Sequence, residues 1–130
     1  MRIWLFLAAL NGFLASGAGA IGSHLLKGKI TADNLEIFNM AARYHMWHAL
    51  ALFAVAWLAS RTPAVPLVVT IAGAAFFLGI ICFCGSLYFM SITGSTAMVF
   101  VTPVGGVLFL VGWAAMIFSS ITGPVGNRLS

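Results

Sequence analysis

Four long apolar runs, separated by short polar or helix-breaking stretches, organise this chain. They cover 3–21, 44–60, 67–90 and 96–121. A helix rises 1.5 Å per residue and needs about 20 apolar residues to cross a bilayer, so each run predicts one transmembrane helix. The prediction is an all-α membrane protein, a bundle of four transmembrane helices forming a single domain over 1–130. From Thr62 to Asn127 there is no Asp, Glu, Lys, Arg or His. Lipid is therefore the only solvent that suits the third and fourth runs.

The polar segment 22–43 holds His24, Lys27, Lys29, Asp33, Glu36 and Arg43 and is expected at or outside the membrane surface. Asp33 followed by Glu36 resembles a capping box, and Leu35, Phe38 and Ala42 then share one face. That pattern predicts a short interfacial amphipathic helix between the first and second crossings, running into the second without a Pro or Gly break. Thr62-Pro63-Ala64-Val65-Pro66 ends the second crossing, because proline lacks a donor and restricts the residue before it. Gly94 marks the next turn. Pro103, Gly105 and Gly106 near the start of the fourth run predict a kink or a late helix start.

Composition excludes a soluble fold: 62% of residues are apolar and 6% charged, the mean hydropathy is +1.11, and a soluble surface needs roughly a quarter charged residues. Ala18-Gly19-Ala20 would satisfy a signal-peptidase site. The apolar run before it, however, exceeds the roughly 7 to 15 residues of a signal core, so a retained first helix is expected. The net charge of +4 comes from scattered cations. These read as membrane-flanking anchors rather than a nucleic-acid surface, which needs a basic patch. Cys82 and Cys84 point about 200° apart on a helix and are not expected to pair.

An even number of crossings puts Arg2, Arg61 and Arg128 on one side and Lys27, Lys29 and Arg43 on the other. The cation count that sets topology is tied. The acids Asp33 and Glu36 tip the expectation slightly towards cytoplasmic termini.

Ala8, Gly12, Ser16 and Ala20 recur at four-residue spacing along one face of the first helix, where small side chains let another backbone approach. Gly12, Ser16, Gly85, Pro103, Gly105, Gly106 and Gly112 are the expected packing positions, serving contacts within the chain first and association with other chains second. Asn11, mid-helix, is expected to act as hydrogen-bonding glue. The hydroxyls of Ser86, Tyr88, Ser91 and Thr93 are expected to satisfy nearby backbone.

His24, His45 and His48 are expected near one membrane face and, with Lys27, Glu36, Arg43 and Tyr44, form the candidate polar cluster. Three imidazoles and Glu36 could hold a transition metal, His24 and His48 could be imagined on a haem, and Lys27, Arg43 and Tyr44 could hold an anionic lipid head group. The plainer reading is that the histidines hydrogen-bond loop carbonyls and one another, since unpaired polar groups near lipid are costly. No catalytic residue, metal or cofactor is assigned: no nucleophile, base and orienting acid converge. The third and fourth runs also lack the intramembrane charge that marks an ion path. Trp4, Trp47, Trp57 and Trp113 read as interfacial belts.

Gly19-Ala20-Ile21-Gly22-Ser23-His24-Leu25-Leu26-Lys27 and Tyr44-His45-Met46-Trp47-His48-Ala49-Leu50-Ala51-Leu52 resemble the first half of the domain-of-unknown-function 423 family. Gly85-Ser86-Leu87-Tyr88, Thr93-Gly94, Pro103-Val104-Gly105-Gly106 and Gly112-Trp113 resemble elements of its second half. Ser23 and Leu25 depart from the Ala and Gly the pattern would place there. The resemblance implies a small, multi-pass bacterial inner-membrane protein, similar also to a eukaryotic small transmembrane family, and supplies no activity. The expectation is a non-enzymatic accessory or interaction protein, packing with another membrane protein or with itself. The alternative is a lipid or amphiphile binder or transporter with its mouth at His24 to His48.

Overall fold

The computed structural model describes residues 2–61 and 63–122. Thr62 and Arg128, named above for the second connection and for topology, lie outside the described residues. Among the described residues there are four helices: α1 (Arg2–Ile21), α2 (Ala32–Ser60), α3 (Leu67–Thr93) and α4 (Val101–Thr122). A π-helical turn, Gly22–Leu26, prolongs α1, and another, Ile80–Cys84, interrupts α3 between Leu67–Gly79 and Gly85–Thr93. Arg2–Leu26, Leu67–Thr93 and Val101–Thr122 are each long and apolar enough to cross a membrane. α2 is longer still, but Arg43, Tyr44, His45 and His48 interrupt its apolarity.

The polar stretch before Arg43 and the apolar stretch after it form one unbroken helix. Its N-cap is Thr31 rather than Asp33. The Thr31 hydroxyl accepts the Asn34 N–H at 3.1 Å, filling one of the orphan donors of the first turn. α3 ends at Gly94, whose φ of 70° suits a residue without a side chain. α4 starts late, at Val101, with Pro103 in its first turn, where a missing donor costs nothing.

Helices successive in sequence run antiparallel, which leaves α1 parallel to α3 and α2 parallel to α4. α1 pairs chiefly with α2, α3 with α4, and the α2–α3 seam joins the two hairpins. The α3–α4 seam is a reciprocal ring-into-glycine zipper. Phe76 fills the space beside Gly112, Phe109 that beside Gly79, and at Gly105 an added side chain would strike the backbone of Phe83. In lipid, where helices gain nothing by hiding apolar surface from one another, such close approach supplies the dispersion contacts that hold them. Trp4 of α1 fills the equivalent space beside Gly73 of α3. Leu52, Val55, Val69 and Phe76 are fully buried at the centre. The outer faces carry Phe13, Leu67, Phe100, Leu110 and Ile121, which suits a surface solvated by hydrocarbon.

Candidate functional site: a polar network inside the bundle

Asn11, His45 and His48 are only 4–5% exposed, although they are the polar groups an apolar interior tolerates least. The cost is met by complete pairing. The Asn11 amide N–H donates to the Leu7 carbonyl at 2.8 Å, which turns its Oδ1 towards His45 Nε2 at 2.9 Å. The other ring nitrogen of His45 lies 3.0 Å from the Tyr88 hydroxyl. One imidazole thus ties α1, α2 and α3 together. With Asn11 Oδ1 an acceptor, Nε2 carries the proton and Nδ1 accepts from Tyr88, so a neutral ring satisfies the whole chain.

His48, three residues on, projects about 60° around the helix from His45 and serves a different seam. Its Nδ1–H donates to the Tyr44 carbonyl at 2.8 Å, and its Nε2 accepts the Trp113 Nε1–H at 3.1 Å. The ring stacks on Phe109, centroids 3.6 Å apart and planes 7° from parallel. Near the π turn of α3, Ser86 donates to the Phe83 carbonyl and shares a short hydroxyl–hydroxyl bond with Thr102 of α4. Among the described residues no buried polar side-chain atom lacks a partner.

The seven residues of the candidate cluster fall in three places. His24 and Lys27 are exposed beside the π turn that ends α1. Glu36 and Arg43 pair at 3.2 Å on the outer surface of α2, both well exposed. Tyr44, His45 and His48 lie deeper, His45 level with Asn11 near the middle of α1. Among the described residues no group of three or more His, Cys, Asp or Glu is placed to hold a metal. Cys82 and Cys84 are both free thiols.

Of the seven packing positions, Gly105 and Gly112 sit in tight contacts, whereas Gly12 and Gly85 would accept a side chain without meeting anything within 4 Å. Gly106 has room as well, Ser16 and Pro103 are exposed, and α1 packs instead through Ala8, Asn11 and Ala15. Sequence reasoning passed over Tyr88 and Trp113 as site residues, and Gly22, Gly73 and Gly79 as packing residues. Gly22, Tyr88 and Trp113 fall in the motifs that carry the resemblance, but only the cross-helix pairing shows what each of the five does.

Two lateral grooves flank the network. One, of about 500 Å³ between α1 and α3, is lined by Phe13, Gly17, Phe38, His45 and Tyr88 among others. The second, of about 530 Å³, lies mainly between α2 and α4, with Tyr44, Trp47, His48, Phe109 and Trp113 in its wall.

No solved structure matches this chain. The UPF0382 membrane protein YwdK of Bacillus subtilis is 40% identical over 121 residues, spanning 93% of this chain and 98% of that protein. UPF0382 membrane proteins of Staphylococcus epidermidis and Staphylococcus aureus are 36% and 39% identical, over 93% and 92% of this chain and 97% and 96% of their own lengths. With relatives named as membrane proteins and matched over nearly their whole length, and with three helices fit to cross a bilayer, the chain is a multi-pass membrane protein. The model of a protein family of unknown function, DUF423, matches residues 18–106, and the chain belongs to that family.

Proposed function

We propose that this chain is a non-enzymatic accessory protein of the inner membrane, crossing it four times and offering the outer face of α1 to a helix of another membrane protein or of a second copy. The observation that carries this reading is the open small-residue face of α1. A side chain at Gly12 or Gly19 would meet nothing within 4 Å, and Ser16 and Ala20 are exposed. The inward face of α1 is already occupied through Asn11, Ala15 and the stripe's own first member, Ala8, which leaves Gly12, Ser16 and Ala20 as its open part. In lipid a small-residue face is where a second backbone can come close. The interior supports a structural rather than a reactive role, because His45 and His48 each commit both ring nitrogens to partners in the bundle.

Cysteine crosslinking in native membranes tests the reading, in a Cys82→Ser background. Ser16→Cys should give a covalent adduct with a second copy or another membrane protein, Leu10→Cys on a different face should not, and Gly12→Leu should abolish the adduct. Equal crosslinking at both positions, or none at either, would sink it.

A second reading, binding of an amphiphile at the polar end, draws support from a groove of about 420 Å³ where Ser23, Asn39 and Arg43 meet Ala15 and Gly19. Retention of anionic lipid in native mass spectrometry, lost on Arg43→Gln, would favour it. Indifference to that change would remove it.

A further inference from the structure

α2 ends on a cation that the bundle itself leaves without an anion. The Arg61 guanidinium carbon lies over the Trp57 ring, 5.2 Å from its centroid, which holds the charge against an aromatic face. Among the described residues Arg61 makes no ion pair, whereas Arg43 at the other end of the helix is paired with Glu36. The only acidic side chains of the chain, Asp33 and Glu36, both lie in the opening turns of this 29-residue helix. Arg2 opens α1 at the same end as Arg61, since Leu5 and Ser60 line one groove. That end of the bundle therefore carries cations and no acidic side chain.

Trp57 is also the shared wall of two apolar grooves. One, of about 190 Å³ between α2 and α4, is lined by Ala54, Leu58, Met116 and Ser119 among others. The other, of about 250 Å³ between α1 and α2, is lined by Leu5, Phe53, Ala56 and Ser60. Ser60 and Ser120 spend their protons on the Trp57 and Ile117 carbonyls. Ser119, 2% exposed, has no hydrogen-bond partner among the described residues. Because no buried polar side-chain atom there is unpaired, its hydroxyl meets the groove that it lines.

Charge and width together select the occupant. A helix about 10 to 12 Å across does not seat in spaces of this size, but a hydrocarbon chain does. A soluble anion would use Arg61 and neither groove, and a single-chain amphiphile would leave one groove empty. We propose that an anionic diacyl phospholipid straddles the end of α2, with its phosphate on Arg61 and one acyl chain on each side of Trp57. The Ser119 hydroxyl donates to the ester carbonyl of the chain in the α2–α4 groove. Simple snorkelling of Arg61 to the head groups would show no preference for a second chain. The site is at the opposite end of α2 from the Arg43 groove and apart from Gly12 and Ser16 on α1, so it can fail independently of both readings above.

The test uses the intact protein in detergent, mixed with dioleoylphosphatidylglycerol or dioleoylphosphatidylcholine and read by native mass spectrometry. One phosphatidylglycerol per chain should be retained in preference to phosphatidylcholine. Lysophosphatidylglycerol, with the same head group and a single chain, should bind more weakly. Arg61→Gln changes an exposed side chain and should lower phosphatidylglycerol retention about fivefold, the worth of one cation beside an anionic head group, with phosphatidylcholine unaffected. Ala54→Phe should close the α2–α4 groove and reduce the diacyl lipid to the affinity of the lyso form. Arg43→Gln should change nothing. The proposal is overturned if the unaltered protein retains both diacyl lipids equally or holds the lyso form as tightly as the diacyl one. It is equally overturned if the phosphatidylglycerol preference survives Arg61→Gln, or if Arg43→Gln removes it.

Discussion

Trp113 donates its indole N–H to His48 across 3.1 Å, fixing α4 to α2 through a ring that is itself anchored to the Tyr44 carbonyl. Both nitrogens of His48 have defined roles as a result: Nδ1 bears the proton and Nε2 accepts. Nitrogen NMR of the labelled protein at neutral pH is expected to show His48 as the neutral Nδ1–H tautomer, the minority form in water. Trp113→Phe should keep that tautomer, which the Tyr44 carbonyl still holds, but shift the Nε2 resonance as its donor is lost, and cost about 0.6 to 1.7 kcal/mol, the average and the maximum found for interhelical hydrogen bonds in membranes. A His48 spectrum unchanged by Trp113→Phe would contradict the assignment.

Asn11 and His45 should behave as a coupled pair. Removing the imidazole strands the Asn11 carbonyl oxygen and the Tyr88 hydroxyl, whereas removing both Asn11 and His45 leaves the Tyr88 hydroxyl alone without its partner. In a double-mutant cycle of Asn11→Leu and His45→Leu, read by detergent unfolding, the double variant is therefore expected to be more stable than the sum of the singles predicts. The coupling should be about 0.6 kcal/mol or more. Strict additivity would mean that the 2.9 Å contact carries no net energy.

The apolar runs and their breaks are legible from residue types alone, because helix period, proline and membrane thickness act locally. Depth is not. His45 and His48 adjoin the polar segment in sequence, yet Thr31 rather than Asp33 starts the helix, and α2 then runs 29 residues without a break. That length carries both rings inside, His45 level with Asn11 on α1 and His48 with Trp113 on α4, residues that no local pattern connects to them. The same holds for Gly79, whose role depends on Phe109 lying opposite, and for Gly12, which has the spacing of a packing residue but no neighbour. Spacing states which residues share a face. It does not state which face the fold covers.

Adjacent glycines should respond in opposite ways. At Gly105 a methyl would collide with the Phe83 backbone, which cannot yield as a side-chain tip can. At Gly106 the nearest atom is a Phe83 ring carbon at 4.0 Å. Gly105→Ala is expected to destabilise the α3–α4 hairpin by about 1 to 3 kcal/mol, the usual cost of overpacking. Gly106→Ala should be neutral or slightly stabilising, since alanine loses less backbone entropy in a helix. Similar unfolding midpoints for the two variants would show that the α3–α4 contact is looser than the structure has it.

At the polar end of α2 the helix cap should matter more than the ion pair. Arg43 and Glu36 meet at 3.2 Å, but their side chains are 51% and 68% exposed, so water and salt screen the attraction and two long side chains must be ordered to make it. Glu36→Gln is expected to shift stability by under about 0.5 kcal/mol and to leave no salt dependence to lose. Thr31 holds a backbone N–H that has no other partner in the first turn, so Thr31→Ala should cost about 1 kcal/mol. It should also raise amide exchange in the first turn of α2, around Asp33 and Asn34, while the protected middle around His45 stays unchanged. If exchange instead rises along the whole helix, the polar turns and the buried part of α2 are a single cooperative unit.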